Sequence, residues 1–363
     1  MTKIGLRKAW FQAHKWIGLI LAIVIVPICL TGSALVWHDG LDRMLNAGRY
    51  ATTAGAATGA DRHLDAARAV LPGDARIASF RMPEHAGDPV VVSAVSARPG
   101  APQRTNVYLD PPTARVLDVA GSNAGAVRVM HVIHGSLMIP GVGRSIVGWI
   151  GVAMLISSIS GLWLWWPTVG RWARGLRWRR HRDFDTNLHH MMGFWIALPL
   201  FILSLTGAWI SFPAFFGPLV GEGPRAAAPN RAAQQRARPL ESPATPLAAA
   251  LTRAQAVAPG EVRQIAFPTD LKPEWVVTSG GMPVTIVDST GAVEAGPASG
   301  ERAKTSVARW MRRIHDGTDM GIVWQVVVFL GGLLPAALAV TGVIMWWRAR
   351  RWRGEARARS AAE

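Results

Sequence analysis

Four apolar runs, Trp16 to Trp37, Ile146 to Trp166, Met191 to Phe212 and Ile322 to Trp347, carry no charged residue. Each reaches or exceeds the roughly 20 residues that a helix needs to cross the hydrocarbon layer. The chain therefore reads as an integral membrane protein with four transmembrane helices. Composition agrees, because 50% of the 363 residues are hydrophobic while the formal net charge is +16. That pairing suits spans flanked by basic anchors better than a soluble core. Residues 1–15, 168–186 and 348–363 together hold 16 Lys and Arg against 4 acids, whereas the two long intervening loops hold 23 against 19. Basic flanks stay on the cytoplasmic side, so both termini are expected inside and both long loops outside.

The basic run Arg171, Arg174, Arg177, Arg179, Arg180 and Arg182 is accordingly a topology signal or an anionic-lipid contact, and nucleic acid is not expected as a partner. The first apolar run is too long for a cleaved signal peptide, and Trp37 and His38 at its end lack the small-residue cleavage pattern. The single cysteine, Cys29, lies inside a span. This rules out an intrachain disulfide and a cysteine-ligated cluster.

A repeat organises the chain. His14, Gly18, Thr31 and Gly32 recur at identical spacing as His189, Gly193, Thr206 and Gly207, and His134, Gly161, Trp165 and Trp166 recur as His315, Gly342, Trp346 and Trp347. In the loops, Pro72, Gly73, Arg76 and Phe80 match Pro259, Gly260, Arg263 and Phe267. The expectation is an internal duplication in which each copy supplies two spans and one outer domain. Each outer domain reads as a short helix (His63 to Leu71; Leu247 to Ala258), strand-like runs such as Val90 to Val95 and Trp275 to Thr278, and a turn holding Asp110 or Asp288. Ala51 to Ala60 and Arg225 to Pro246 have the composition of flexible linkers. The expected boundaries are 1–37 for a cytoplasmic segment with the first span, 38–130 for a first outer domain, and 131–167 for an approach with the second span. There follow 168–186 as a basic cytoplasmic loop, 187–213 as the third span, 214–311 as a second outer domain, 312–347 as an approach with the fourth span, and 348–363 as a basic tail.

Two copies of a two-span unit give a four-helix bundle with a pseudo-twofold axis along the membrane normal, which puts matching residues at matching depths. His14 and His189 then meet at the cytoplasmic end, and His134 and His315 at the outer end. A single histidine near a span end is an interfacial residue; four in two symmetric pairs point to an ion path, a proton relay or cofactor ligation. Imidazoles on facing helices are a common means of holding a haem iron axially. Every span also contains one Ser-Gly or Thr-Gly pair, ending at Gly32, Gly161, Gly207 and Gly342. Thr31 lies 17 residues beyond His14, about 25 Å along a helix, at the depth of the His134 and His315 pair. Gly161 and Gly342 fall at the depth of His14 and His189. These glycines fit ordinary small-residue helix packing as well as clearance of a flat macrocycle, and the paired histidines favour the macrocycle.

His131, with Arg312 as its counterpart, suits a propionate or interfacial role, while His38, His63, His85 and His181 have no counterpart and read as solvated. Trp37, Trp165, Trp166, Trp346 and Trp347 read as interfacial belts. The sequence contains no Gly-rich phosphate loop, HExxH, nucleophile elbow, or nicotinamide or flavin fingerprint. Electrons would thus come from quinol or a partner such as a flavoprotein. With no CxxCH attachment site, the expected cofactors are two b-type haems, each taking iron ligation from one histidine pair.

HKWIGL with LTG, HGSLMIPGVGR leading to SGLWLWWP, LHHMMGFW with LTG, and IHDGTDMG leading to TGVIMWW together resemble the PepSY-associated transmembrane family of bacterial inner-membrane proteins. The resemblance covers nearly the whole chain. It implies two periplasmic α+β PepSY-like domains on the four-helix bundle, and a likeness to iron-regulated di-haem reductases that release Fe(II) from ferric siderophores. It also implies axial ligation by His14, His134, His189 and His315. Two other readings remain at this point, a regulatory or peptide-binding PepSY module in which the spans are only anchors, and a permease, for which Pro27, Pro199 and Pro335 supply interruptions in three spans.

Overall fold

The computed structural model describes residues 2–96, 103–166, 172–178, 181–221, 237–295 and 306–360. In chain order the helices are α1 (Lys3–Leu35), α2 (His38–Leu45), α3 (Ala60–Val70), α4 (Ala126–Ser136), α5 (Gly143–Trp165), α6 (Phe184–Ser211), α7 (Pro213–Leu219), α8 (Leu247–Val257), α9 (Val307–Asp316) and α10 (Gly321–Ser360). The strands are β1 (Arg76–Arg81), β2 (Val90–Ser96), β3 (Gln103–Leu109), β4 (Val116–Gly121), β5 (Val262–Ala266), β6 (Glu274–Ser279), β7 (Met282–Val287) and β8 (Val293–Ala295). They divide into two compact units, Met1–His38 with Val127–Glu222 and Val307–Glu363, and Asp39–Ala126 with Gly223–Ser306.

The first unit is a helix bundle. Among the described residues, four helices, α1, α5, α6 and α10, are long and apolar enough to cross a membrane, and the chain is a membrane protein. They close a ring in which α5 packs on α6, α6 on α10, α10 on α1 and α1 on α5. Ile25, Ile28 and Cys29 of α1 meet Ile150 and Met154 of α5, Ile196 and Leu200 of α6, and Ala336 of α10. Lipid tails are as apolar as these side chains, so association rests on close packing and interhelical hydrogen bonds. Gly332 lets α10 approach α1 so closely that a Cβ there would stand 2.6 Å from the Cys29 carbonyl oxygen. Nearby, the Ser33 hydroxyl donates to the Phe329 carbonyl at 2.8 Å. Helices α1, α6 and α10 continue as helix through Pro27, Pro199 and Pro335.

Two boundaries differ from the sequence reading. The residues before Trp16 are the first turns of α1, and the basic tail continues α10 as helix to Ser360, because neither stretch contains a proline or a strong capping signal to stop it. In the basic loop, Trp172–Leu176 forms a 3₁₀ turn, while Arg171, Arg179 and Arg180 lie outside the described residues.

The second unit is built on one antiparallel sheet in the order β4-β3-β2-β1-β5-β6-β7-β8. Where the sequence gives each long loop a domain of its own, here both loops share this sheet. The join is β1 against β5, with Ser79 opposite Ala266, Phe80 opposite Ile265 and Arg81 opposite Gln264. Two separate four-stranded sheets would each expose a row of unpaired backbone groups at this edge, and pairing them removes both. A single core crosses the join: Leu64 and Ala67 of α3 and Ala250 and Ala254 of α8 cover Phe80, Val92, Val107, Ile265, Trp275 and Val284. His63, read as solvated, is fully buried in this core; it sits beside Leu64 on the inward face of α3 with Nδ1 3.1 Å from the Gly59 carbonyl. The expected linker at Ala51 to Ala60 is coil up to Gly59. Most of the linker from Arg225 to Pro246 lies outside the described residues, and in its described part Pro239 pairs with Thr269.

Asp110 and Asp288, expected in turns, are buried anchors. Asp110 accepts from the Thr53 N–H and hydroxyl, each at 2.7 Å, and from the Thr113 hydroxyl. Burial alone would raise its pKa, but these bonds and the nearby Arg115 outweigh it and hold the carboxyl below the ordinary range. Its contribution to stability is therefore complete above the unfolded aspartate value of about 3.9 and is lost as pH falls through the folded value. Asp288 accepts from the N–H groups of Ala244 at 2.9 Å and Thr245 at 3.0 Å and from the Trp275 indole at 3.1 Å. Asp288→Ala is expected to lower the stability of the sheet by about 2–4 kcal/mol in denaturant unfolding followed by Trp fluorescence, since three donors lose their acceptor. A loss below about 0.5 kcal/mol would show that water replaces the carboxylate.

Candidate functional site

His14 is carried by α1, His189 by α6, His134 by α4 and His315 by α9. The rings of His14 and His189 lie with centroids 6.5 Å apart, and those of His134 and His315 with centroids 5.9 Å apart. A metal held about 2 Å from one nitrogen of each ring would place the centroids roughly 6 Å apart. Each pair brings together one histidine from each half of the chain.

The ring nitrogens on the far side are occupied. His189 Nδ1 lies 2.9 Å from the Thr341 hydroxyl, and His14 Nδ1 lies 3.1 Å from the Ser160 hydroxyl and 3.3 Å from that of Ser157. His134 Nδ1 lies 2.8 Å from the Ile28 carbonyl, and His315 Nδ1 lies 3.1 Å from both the Leu203 carbonyl and the Thr206 hydroxyl. A carbonyl accepts only, so Nδ1 carries the proton and Nε2 keeps its lone pair. A hydrogen bond at Nδ1 fixes the orientation of an imidazole whose other nitrogen is free to bind a metal. Burial foremost pushes the pKa of His134 down and that of His315 down to about 3, the latter with help from the neighbouring His134, so both are neutral and able to ligate at pH 7.

The four glycines sit beside these rings. A Cβ on Gly32 would come within 2.5 Å of His134 Cε1, one on Gly161 within 3.0 Å of His14 Cε1, one on Gly207 within 3.0 Å of His315 Cε1, and one on Gly342 within 3.5 Å of His189 Cε1. The sequence reading assigned them to clearance of a macrocycle. In the structure they clear the imidazoles, because each histidine leans its edge on the neighbouring helix where the side chain is missing. The open room is at Gly18 and Gly193, one turn beyond His14 and His189: a Cβ on Gly18 would meet nothing within 4 Å, and one on Gly193 only Leu338 at 3.9 Å. Both line a cavity of about 810 Å³ around His14 and His189, walled by Ile25, Met154 and Ile196, with Arg7, Lys8 and Gln12 also on its lining. The His-x₃-Gly repeat was visible in the sequence, but nothing there distinguished these glycines from the other four.

His181 and Trp165 differ from expectation. His190 lines the same cavity and stacks on His181 with centroids 4.6 Å apart, so His181 is not simply solvated. Trp165 is buried against Phe194 at 4.1 Å, whereas Trp37, Trp166 and Trp347 are exposed, as a belt would be. The His131 ring lies 6.0 Å from that of His38. Beside the second pair, burial raises the Asp316 carboxyl above the ordinary range, against the opposing charges of Arg312, His134, His131 and His38. At the other end of the bundle, Arg7 donates to the Leu164 carbonyl at 2.7 Å and the Trp166 carbonyl at 3.1 Å, satisfying the last turn of α5. Arg348 ties α10 to the start of α6 through Asp185 at 2.6 Å and Asp183 at 3.1 Å.

The fold and site thus define a four-span membrane protein carrying two facing pairs of oriented histidines. It belongs to the family described as the PepSY-associated TM region, which matches residues 11–349. Comparison with curated proteins gave no match.

Proposed function

We propose that this protein is a di-haem oxidoreductase of the bacterial inner membrane that carries electrons from the cytoplasmic side, or from quinol, to a periplasmic ferric chelate such as a ferric siderophore, releasing Fe(II). The observation that carries this reading is the pair of facing imidazoles repeated at two levels of the bundle, each ring with Nδ1 bonded and its edge seated on a glycine. The residues fit the group. At each site the two facing imidazoles would hold the haem iron through their Nε2 atoms. The cavity at His14 and His189 adds an apolar wall with Arg7 and Lys8 on its lining. Anchors for a regulatory module need no polar side chains in register at both ends of the bundle.

Each haem iron, when bound, supplies a one-electron Fe(III)/Fe(II) couple. The chain does the rest: His14 with His189, and His134 with His315, hold the two sites on helix positions about 27 Å apart along α1, the rise from His14 to Gly32. Between them the helices pack the apolar side chains Ile25, Ile28, Met154, Ile196 and Leu200. Ferric iron in hard oxygen ligands is held more tightly than ferrous iron, so one-electron reduction of the chelate releases the metal without any bond-breaking residue. The Lys and Arg distribution supports cytoplasmic termini and a periplasmic sheet unit. An internal duplication is supported by the sheet itself: the 187-residue offset that relates Phe80 to Phe267 also relates Ser79 to Ala266, and these two residues face each other across the β1–β5 join, where a twofold axis would pass.

A pyridine haemochrome assay on detergent-purified protein is expected to find about two b-type haems per chain. Reduced protein mixed anaerobically with ferric siderophores and a ferrous trap should show haem reoxidation with Fe(II) capture for at least one chelate. Colourless protein from haem-replete cells would exclude the cofactor. Haems that reoxidise with quinone while every chelate leaves them reduced would exclude iron as the substrate.

A further inference from the structure

The Ser-Gly and Thr-Gly pairs place a hydroxyl immediately before each seat glycine, and the four hydroxyls are not used alike. Thr341 donates to its own helix, to the Ala337 carbonyl at 2.9 Å or that of Leu338 at 3.1 Å, which turns its lone pairs to His189 Nδ1 at 2.9 Å. Thr206 donates to the Ile202 carbonyl at 2.8 Å or that of Leu203 at 3.1 Å, and faces His315 Nδ1 at 3.1 Å. Ser160 donates to the Ser157 carbonyl at 3.1 Å and faces His14 Nδ1 at 3.1 Å. Thr31 makes the same backbone bonds, to Pro27 at 2.6 Å and Ile28 at 3.0 Å, but His134 Nδ1 goes past it to the Ile28 carbonyl at 2.8 Å.

We propose that Thr341, Ser160 and Thr206 are positioning residues that tune the electron affinity of the two sites through their histidines, and that Thr31, their counterpart at the fourth seat, does not. A hydroxyl committed as donor to its own helix can only accept from the ring, so it fixes the Nδ1–H tautomer and leaves Nε2 for the metal. The bond draws the Nδ1 proton outward and makes the imidazole a stronger donor. A stronger axial donor favours the ferric state and lowers the reduction potential, so loss of the hydroxyl raises it. The effect is largest at Thr341, whose hydroxyl stands 2.9 Å from its ring nitrogen against 3.1 Å for Ser160 and Thr206, although the Leu338 carbonyl also hydrogen-bonds that ring. At Thr206 it is smaller, because the Leu203 carbonyl stands at the same 3.1 Å and remains after the change.

This inference rests on the di-haem reading, and one experiment separates the two. Full-length wild type, Thr341→Val, Thr341→Ser, Ser160→Ala, Thr206→Val and Thr31→Val are purified in detergent, their haem is counted, and each is titrated spectroelectrochemically. Expected are two haems in every variant and an upward shift of one potential in Thr341→Val, reversed in Thr341→Ser. Ser160→Ala shifts the same potential by less, because the Ser157 hydroxyl at 3.3 Å remains, Thr206→Val shifts the other by less, and Thr31→Val shifts neither. If Thr341→Val fails to retain haem, Ser160→Ala asks the same question of the same site with a smaller change. Fully loaded variants with unmoved potentials, or a Thr31→Val shift equal to that of Thr206→Val, overturn the inference and leave the di-haem reading standing. A wild type that binds no haem overturns both.

Discussion

Alanine at His134 or His315 is expected to remove one haem from a chain that holds two, and alanine at His14 or His189 to remove the other. Haem content should fall by about half in each single variant and to near zero when one residue of each pair is changed. The reason is geometric. The rings of a pair lie 6.5 or 5.9 Å apart, close enough to share one iron, while the pairs themselves are separated along the bundle. Losing one imidazole leaves its partner still aligned by its Nδ1 bond, so any haem left at that site would be weakly held, with an altered spectrum, and lost on purification. His131→Ala and His190→Ala serve as controls and should retain both haems: His131 Nδ1 is 3.0 Å from the Val127 carbonyl one turn back on its own helix, and His190 stacks on His181. If His131→Ala or His190→Ala emptied a site while His14→Ala and His134→Ala kept full content, the ligand set would be wrong.

The four spans were legible because lipid leaves the backbone no alternative to helix over a long uncharged run, and 22 residues such as Trp16 to Trp37 suffice for that conclusion. The meeting of His14 with His189, and of His134 with His315, was legible for a different reason, since identical spacing in two copies carries three-dimensional information that one copy does not. The shared sheet was not legible. The strand run Val90 to Ser96 announces itself by β-branched residues, but the pairing of Arg81 with Gln264 is a contact between edges far apart in the chain, and local pattern reports only that an edge exists. His63 was misread for a related reason: its burial depends on Phe80, whose ring lies 6.1 Å away on a strand that had not yet been placed over α3. The seat glycines were found at the right depth, but their imidazole neighbours were not foreseen. Depth follows from rise per residue, whereas the direction in which Gly32 faces depends on the rotation of α1 about its axis, which a hydropathy pattern apolar on all sides does not fix.

That rotation makes a graded test possible. Alanine adds one carbon, and its cost at each seat follows how near the opposing imidazole stands: 2.5 Å at Gly32, 3.0 Å at Gly161 and Gly207, and 3.5 Å at Gly342. The last is ordinary van der Waals contact, so Gly342→Ala should retain both haems. Gly161→Ala and Gly207→Ala require His14 or His315 to give by a few tenths of an ångström and should weaken the corresponding haem. Gly32→Ala cannot be accommodated without moving His134, whose ring is also pinned to the Ile28 carbonyl one turn earlier on the same helix. It should cost about 1–3 kcal/mol and selectively empty the His134 and His315 site, with the other haem spectrum unchanged. Helix packing alone predicts something else. Gly148 is the control, because a Cβ there would meet Phe212 at 2.6 Å and no histidine. Gly148→Ala should lower the thermal stability of the bundle and affect both haems alike. If Gly32→Ala behaved as Gly148→Ala does, or if Gly342→Ala proved as damaging as Gly32→Ala, the glycines would be spacers between helices and not seats for the histidines. The order of the four alanine variants therefore tests the rotation of each helix as well as the role of each glycine.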